Sequence, residues 1–257
     1  MGKKKIKGEK DIIDALLINR GIKTEKEKKE FFNPKDPSKI TLKELGINKT
    51  SVGVAIKRIN QAKKQKEFTI VYGDYDADGI CATAIMWEAL NEFGLEVLPH
   101  IPDRFSEGYG INSESVISLK EKYPNLKLIV TVDNGIVANK AIDTANKLGV
   151  DVIITDHHQK GSKLPKAFGI IHTSGICGAA VAYFFAKELI KKVDDKLELA
   201  AIGTIADQMP LLKINRSLVK FGLEALNETK RPGLKSLFRQ SRVERIGTYE
   251  VNYIIAP

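Results

Sequence analysis

Cysteine is scarce in this chain, and long apolar runs are missing. The 257 residues include two cysteines, Cys81 and Cys177, whose spacing fits neither a disulfide framework nor a structural zinc site. We expect both to be buried thiols in a reducing compartment. No apolar run reaches membrane-spanning length, and the basic residues 3–10 are not followed by a signal-type apolar segment. The sequence therefore predicts a cytoplasmic protein that does not enter a membrane.

Acidic residues are in the minority. The 32 Asp and Glu residues are outnumbered by 41 Lys and Arg residues, which leaves a formal net charge of +9. An excess of positive charge suits a nucleic-acid partner, but lysines spread over helix faces give the same excess while only solvating a surface. The charge balance alone leaves both interpretations open.

Three segments of the chain differ in their patterns. Residues 1–66 carry apolar residues at helical spacing and a capping box formed by Thr24 and Glu27, which predicts a helical N-terminal extension. Residues 67–210 alternate between apolar runs and amphipathic stretches, and residues 211–257 are again helical. We therefore expect one α/β domain flanked by two helical segments.

The middle segment predicts an α/β fold with a parallel sheet. Its candidate strands are residues 68–71, 96–101, 126–132, 150–155 and 169–171, and its candidate helices are 80–93, 113–122, 137–148 and 178–191. Continuous apolar strands between amphipathic helices indicate a parallel sheet covered by helices on both faces.

Polar residues follow four of these strands, where sites of parallel sheets gather. They are Asp74, Asp76 and Asp78 after the first strand, Asp103 and Arg104 after the second, Asp133 and Asn134 after the third, and Asp156, His157 and His158 after the fourth. A helical run from residue 196 ends in one further carboxylate, Asp207. Because every one of these strands delivers acid or imidazole to the same edge, the sequence predicts a shared metal site.

The types of these side chains indicate the metal. Carboxylates and imidazole without cysteine suit Mn²⁺ or Mg²⁺, and five or six ligands are enough for two ions ~3.5–4 Å apart that share a carboxylate. Asp133 is at the centre of the series and is the predicted bridge. Such a pair activates a water for in-line attack on a phosphoryl group. We take His157 as a ligand and His158 as the group that meets the phosphate or the leaving oxygen.

A loop at residues 102–110 is the candidate substrate contact. Arg104 can offer two hydrogen bonds to a phosphate, while Phe105 and Tyr109 can stack on bases. The alternative is a polar loop in which Arg104 pairs with Glu107 and the aromatic rings pack on the domain.

The turn at Ser174 and Gly175 is a second candidate for substrate contact. Its backbone N–H groups could face an anion, as could those of Asn134 and Gly135. Ordinary turn chemistry explains the same residues, so this interpretation also stays open.

Four segments resemble the successive motifs of the DHH phosphoesterase superfamily. They are Asp74-Tyr75-Asp76-Ala77-Asp78-Gly79, Val132-Asp133-Asn134-Gly135, Asp156-His157-His158 and Gly203-Thr204-Ile205-Ala206-Asp207. Further segments resemble the RecJ branch, which comprises single-strand-specific 5′→3′ exonucleases. These are Asn19-Arg20-Gly21-Ile22, Phe31-Phe32-Asn33-Pro34, Glu107-Gly108-Tyr109-Gly110 and Asn215-Arg216-Ser217-Leu218-Val219. Together they cover nearly the whole chain.

The resemblance implies a five-stranded parallel sheet, two Mn²⁺ or Mg²⁺ ions and the release of 5′-mononucleotides from single-stranded DNA rather than RNA. By motif position, the implied metal ligands are Asp76, Asp78, Asp133, His157 and Asp207, with Asp74 as a further ligand or its support. It also implies that His158 acts on the scissile phosphate and that Arg104 holds a substrate phosphate.

The chain departs from this branch at its C-terminal end. RecJ-like enzymes carry a second, DHH-associated domain with a glycine-rich motif, and no such motif is found here before the chain ends at Pro257. We expect a fragment or a minimal form, whose cleft a missing domain or a partner protein would complete.

Two other functions within the superfamily are alternatives. Phosphoesterases that act on short oligoribonucleotides, cyclic dinucleotides or pyrophosphate generally have a histidine where this chain has Tyr72. A non-catalytic scaffold would have lost metal ligands, whereas every ligand position is filled here.

Overall fold

The computed structural model describes residues 8–257, and its centre is a sheet of five parallel strands. These are β1 (Phe68–Tyr72), β2 (Glu96–His100), β3 (Leu126–Val132), β4 (Asp151–Asp156) and β5 (Gly169–His172), in the order β2-β1-β3-β4-β5. Neighbouring strands all pair in parallel. The predicted α/β fold is confirmed. Of the predicted basic segment 3–10, residues 3–7 lie outside the described residues.

Eleven α-helices surround the sheet in the described part of the chain. They are α1 (Glu9–Asn19), α2 (Glu25–Phe32), α3 (Lys49–Gln65), α4 (Ala77–Phe93), α5 (Ser113–Lys122), α6 (Asn139–Lys147), α7 (Gly178–Leu189), α8 (Leu197–Ala206), α9 (Lys213–Asn227), α10 (Pro232–Gln240) and α11 (Thr248–Glu250). A π-helical turn, Val251–Ile255, follows α11. The predicted capping box of α2 is present, since Thr24 Oγ1 accepts from Glu27 N at 3.2 Å and Glu27 Oε2 accepts from Thr24 N at 2.8 Å.

The burial of the strands shows that the sheet is covered on both faces. All five residues of β1 are buried, as are six of the seven residues of β3. Alternate side chains enter two cores, so Val71 packs in one with α4, α7 and α8, while Ile70 packs in the other with α5 and α6. Only β2 is largely exposed, and it is an edge strand that tolerates Pro99.

Helix α3 of the N-terminal segment and helix α9 of the C-terminal segment belong to the larger of these cores. Ile59 of α3 and Leu218 of α9 are completely buried within it. Arg58 of α3 reaches β4, with its Nε 2.5 Å from Asp151 Oδ2, and its Nη1 lies 2.6 Å from Glu67 Oε2 in an ionic contact. The two helical segments are thus packed against the sheet rather than suspended from it.

The segment 215–217 ties α9 to distant parts of the chain. Asn215 donates to the carbonyl of Gly175 at 3.1 Å. Arg216 donates to the Phe31 carbonyl, and the Ser217 hydroxyl donates to the Lys35 carbonyl. This segment, which resembles the RecJ branch, therefore holds α9 against residues that are distant along the chain.

Two further expectations concern cysteine and membranes. Cys81 and Cys177 are free and buried, as predicted. None of the helices in residues 8–257 combines the length and the apolar character that a bilayer crossing requires. The cytoplasmic location stays a prediction.

Candidate metal centre

The first acidic motif turns the chain from β1 into α4. Asp76 caps α4, and its Oδ1 accepts from Gly79 N at 2.8 Å. Asp78 is buried in the first turn, where its carboxylate accepts from Gly178 N at 2.6 Å and from Ala179 N at 2.9 Å. These are the first amides of α7, whose dipole stabilises a negative charge at that position. Asp78 is therefore fixed by a helix that lies far from it along the chain.

Asp133 follows β3 in an unusual backbone conformation. Its φ is +62°, in the left-handed region that Asp and Asn adopt more readily than other non-glycine residues. The side chain of Asn134 braces the corner, since its Nδ2 donates to the carbonyls of Gly73 and Val132 at 2.9 Å and its Oδ1 accepts from Ile111 N at 3.2 Å. Asn134 thereby joins the ends of β1 and β3. The sequence predicted a candidate anion contact for the backbone N–H group of Asn134, but not these contacts of its side chain.

Asp156, at the end of β4, supports the two histidines that follow it. Asp156 Oδ1 accepts from the backbone N of His157 at 2.7 Å, from that of His158 at 3.0 Å and from His158 Nδ1 at 2.8 Å. Its Oδ2 accepts from Ile136 N at 2.9 Å. Burial opposes the ionised form, but the hydrogen bonds from His158 and Ile136 lower the pKa of Asp156. Asp156 is therefore a carboxylate that orients His158.

The predicted ligands converge. His157 Nε2 lies 3.0 Å from Asp133 Oδ1 and 3.8 Å from Asp78 Oδ2, and its Nδ1 lies 3.9 Å from Asp207 Oδ2. Three groups have ligand atoms within 4.8 Å of one another: Asp78, His157 and Asp207; Asp74, Asp76 and Asp133; and Asp133, His157 and His158. All six predicted ligands belong to these groups. Asp133 and His157 each belong to two of them, and of these two side chains Asp133, a carboxylate, is the one that can bridge two ions.

The electrostatics of the cluster suit cations. Burial raises the pKa of Asp74, Asp78, Asp133 and Asp207, and at Asp133 the nearby charges of Asp78 and Asp76 raise it further. Asp74 Oδ2 and Asp133 Oδ1 are buried and accept no hydrogen bond from the described residues, although His157 Nε2 lies 3.0 Å from Asp133 Oδ1. Buried carboxylate oxygens without partners are destabilising, and divalent cations would supply the missing charge. The donor set of oxygens and imidazole fits Mn²⁺ or Mg²⁺.

Asp103 does not join this cluster. Its carboxylate accepts from Phe105 N at 3.0 Å and from Ser106 N at 2.8 Å, so it shapes its own loop. These hydrogen bonds, led by those from Ser106, lower its pKa. An acidic residue after a strand is thus not sufficient to make a ligand.

The loop at residues 102–110 leads from the surface to His158. Tyr109 Oη lies 3.0 Å from His158 Nε2, and the Arg104 guanidinium lies 5.3 Å from the centre of the Tyr75 ring. Burial, followed by the charge of Asp133, raises the pKa of Tyr109. Arg104 is therefore placed above an aromatic ring near the cluster.

The alternative interpretation of this loop is wrong at two residues. Glu107 does not pair with Arg104; it contacts His100 Nε2 at 3.0 Å and accepts from Ser115 Oγ at 2.7 Å. The Phe105 side chain does not pack on the domain, since the residue is 95% exposed.

Ser174 and Gly175 lie in an exposed loop between β5 and α7. Gly175 donates to Thr173 Oγ1 at 3.5 Å and accepts from Asn215 Nδ2 at 3.1 Å. Thr173 in turn donates to the Leu45 carbonyl at 2.7 Å. The loop is braced by these contacts, and its predicted contact with substrate stays a prediction.

Residues 68–204 match the DHH family, N-terminal domain. The chain therefore belongs to the DHH family.

Its similarity to individual proteins is more specific. It is 40% identical over 240 residues to the single-stranded-DNA-specific exonuclease RecJ of Bacillus subtilis (strain 168), a match that covers 90% of this chain and 30% of that protein. A crystal structure of exonuclease RecJ bound to manganese has a TM-score of 0.72 at 34% identity, covering 82% of this chain and 56% of the other. RecJ from Thermus thermophilus in complex with Mn²⁺ has a TM-score of 0.75 at 31% identity, covering 94% and 35%. The chain thus spans only part of the length of these relatives.

Proposed function

We propose that this chain hydrolyses phosphodiester bonds of single-stranded DNA with two divalent cations, releasing 5′-mononucleotides in the 5′→3′ direction. The observation that carries the proposal is the convergence of six acidic and imidazole side chains, Asp133 among them, at the edge of the sheet where the strands end. Its similarity to RecJ exonucleases supports the substrate class. We therefore propose that the chain both binds single-stranded DNA and hydrolyses it.

The ligand groups suggest how the ions would be shared. One ion would be held by Asp78, His157 and Asp207, and the other by Asp74, Asp76 and Asp133, with Asp133 Oδ1 also 3.0 Å from His157 Nε2. When bound, such ions lower the pKa of a water and neutralise charge on the phosphoryl group. The backbone amides of α7 keep Asp78 in place for this task.

His158 is the proposed catalytic acid or base, together with Asp133 at the centre of the ligands. Asp156 holds His158 Nδ1, which leaves Nε2 3.0 Å from Tyr109 Oη, and the His158 side chain is 43% exposed. The hydrogen bond from His158 to Asp156 raises the pKa of the imidazole. A more basic imidazole carries a proton at neutral pH more often and can pass it to a leaving oxygen.

The substrate would be held by the neighbouring loops. Arg104 is the proposed phosphate contact, Tyr109 is the proposed base contact, and Ser174 with Gly175 is a proposed source of backbone N–H groups. A further domain or a partner protein is proposed to complete the cleft, since this chain spans 30% of the Bacillus subtilis relative.

The test is the product pattern of labelled DNA. Single strands labelled at the 5′ or the 3′ end are incubated with Mn²⁺ beside duplex DNA, RNA and a cyclic dinucleotide. We expect mononucleotide release from the 5′-labelled strand at the earliest times and a descending ladder from the 3′-labelled strand. Cleavage of the cyclic dinucleotide alone would assign the chain to the small-molecule phosphoesterases, and no Mn²⁺-dependent cleavage of any substrate would refute hydrolysis by this chain.

A further inference from the structure

We propose that Tyr249 and Tyr253 form a stacking site for the nucleobases of single-stranded DNA, beside the metal centre and outside the segment that matches the DHH family. The inference rests on the proposed function, because it takes single-stranded DNA as the ligand. It adds a specific contact surface to that function: a pair of aromatic rings that would hold the bases while the ions hold the phosphate.

The two rings form an exposed pair. Their centroids lie 4.9 Å apart with an interplanar angle of 42°, and each residue is 64% exposed. They are four residues apart across α11 and the π-helical turn, so both point to one side.

The pair and the candidate metal centre line two cavities that share residues. One cavity of about 360 Å³ is lined by Asp76, Asp78 and Asp207 and also by Tyr253. The next, of about 380 Å³, is lined by Tyr249 and again by Tyr253. Gln208 and Asn252 line both cavities. Tyr253 therefore stands between the proposed ligands and the rest of the aromatic surface.

The chemistry of the lining favours a nucleotide over a protein segment. Carboxylates, amides and two aromatic rings line the cavities together with the apolar side chains of Ile205, Met209 and Leu211, and this combination suits a ligand with a charged phosphate and a flat, polar-edged base. A strand whose phosphate is held by ions at Asp76 and Asp207 must place the adjoining bases against a neighbouring wall, and Tyr253 is in that wall. Stacking on tyrosine is tolerant of sequence, as an exonuclease requires. The side-chain amides of Gln208 and Asn252 can contact base edges.

The test compares DNA strands with and without bases. Binding of a fluorescent oligothymidylate and of an abasic strand of equal length is measured by anisotropy, with Ca²⁺ in place of Mn²⁺ and strand integrity checked on a gel. Tyr249→Leu and Tyr253→Leu remove the rings, Tyr249→Phe and Tyr253→Phe keep them, and Phe168→Leu is the control. Phe168 is 44% exposed and precedes β5, at the sheet edge opposite the site.

We expect each leucine variant to weaken oligothymidylate binding roughly 5- to 150-fold, the loss of one stacked base, with unchanged affinity for the abasic strand. The phenylalanine variants and Phe168→Leu should bind as the unaltered protein does. Unchanged affinity of the leucine variants for oligothymidylate, or an equal loss on both strands, would overturn the stacking site.

The same variants separate this inference from the proposed function. A chain that binds bases through these tyrosines but hydrolyses nothing with Mn²⁺ keeps the stacking site and loses the proposed activity. A chain that hydrolyses DNA while the leucine variants bind it equally well keeps the activity and loses the stacking site.

Discussion

Asp133 is the residue at which stability and the proposed function conflict. It is 2% exposed, its φ is positive, and its Oδ1 accepts no hydrogen bond in the described part of the chain. Burial and the charges of Asp78 and Asp76 raise its pKa above the unfolded value of about 4. The folded metal-free protein therefore binds a proton that the unfolded chain releases. The stabilisation by that proton is fully present below pH ~4 and is lost as the pH rises through the raised pKa of Asp133.

Asp133→Asn should therefore stabilise the metal-free protein at pH 8 while abolishing Mn²⁺-dependent hydrolysis. Asn is neutral at every pH, so folding at pH 8 no longer requires the uptake of a proton at this position, and Asn, unlike Ala, tolerates the left-handed backbone. Relieving an unpartnered buried group contributes about 1–3 kcal/mol, which raises the melting temperature by about 2–10 °C for a chain of this size. The measurement is thermal unfolding in EDTA and then in Mn²⁺, which should stabilise the unaltered protein more than the variant.

The control for this prediction is Asp143→Asn, at an exposed position of α6. It should leave both melting temperatures unchanged. A metal-free Asp133→Asn protein that melts below the unaltered one would contradict the conflict between stability and function at this residue.

At the scale of elements, hydrophobic patterns predicted the middle of the fold closely. The predicted bounds of β3 and α5 agree with the structure, because both begin and end where the pattern changes. Helix α4 begins at Ala77, before the predicted residue 80, since Asp76 is its cap and its first turn carries the polar Asp78. Helix α6 is shorter than predicted because Val137 lies in the preceding turn and is 58% exposed.

The convergence of the candidate ligands was predictable from the sequence, but the contacts that support them were not. Parallel strands bring their carboxyl ends to one edge, so strand order along the sequence was enough to collect the acidic residues and His157 there. The contacts that fix them join distant residues, as Asp78 does with Gly178 and Asn134 with Gly73. No local pattern encodes such contacts, and so Asp156 could not be recognised as the residue that orients His158.

Close helix packing behind the ligands leads to a prediction at Gly203 of α8. A Cβ at this position would lie 2.2 Å from Asp78 Oδ1 and 2.6 Å from Ala179 Cβ. Gly203→Ala should therefore displace the Asp78 carboxylate, destabilise the fold by about 1–3 kcal/mol and weaken Mn²⁺ binding measured by titration calorimetry.

Gly53→Ala is the matched control for that change. Gly53 lies within α3, and a Cβ there meets nothing within 4 Å. The substitution should stabilise the protein by about 0.5–1 kcal/mol through helix propensity and leave Mn²⁺ binding unchanged. Equal Mn²⁺ affinity of Gly203→Ala and Gly53→Ala would show that Asp78 tolerates the added methyl group.

At the scale of the whole molecule, the three segments share one core. Ile59 from the N-terminal extension, Val130 from the sheet and Leu218 from the C-terminal helices all belong to the core on one face of the sheet. Shared burial couples their unfolding, since no segment can leave without exposing the apolar surface of the others. We therefore expect a single cooperative transition.

Arg58→Ala tests this coupling. Arg58 is 2% exposed and joins α3 to Asp151 of β4 and to Glu67, with its Nη2 donating to the Lys127 carbonyl at 3.2 Å. Removing one partner of a buried ionic cluster costs about 3–5 kcal/mol, here toward the lower value because the Asp151 side chain is 42% exposed. Urea unfolding should shift by that free energy, whereas Lys57→Ala, which truncates a less buried side chain of α3, should shift it little.

Two spectroscopic probes test whether the whole molecule shares the shift in the urea unfolding transition. Trp87, the single tryptophan, lies on α4 and donates to the Val97 carbonyl at 3.2 Å, so its fluorescence follows the α/β part. Far-UV circular dichroism follows every helix, including α1, α2 and α3. In a shared core, Arg58→Ala moves both transitions to the same lower urea concentration because α3 and the sheet unfold together. If circular dichroism lost signal before Trp87 responded, the N-terminal helices would unfold as a separate unit and the shared core would not couple them.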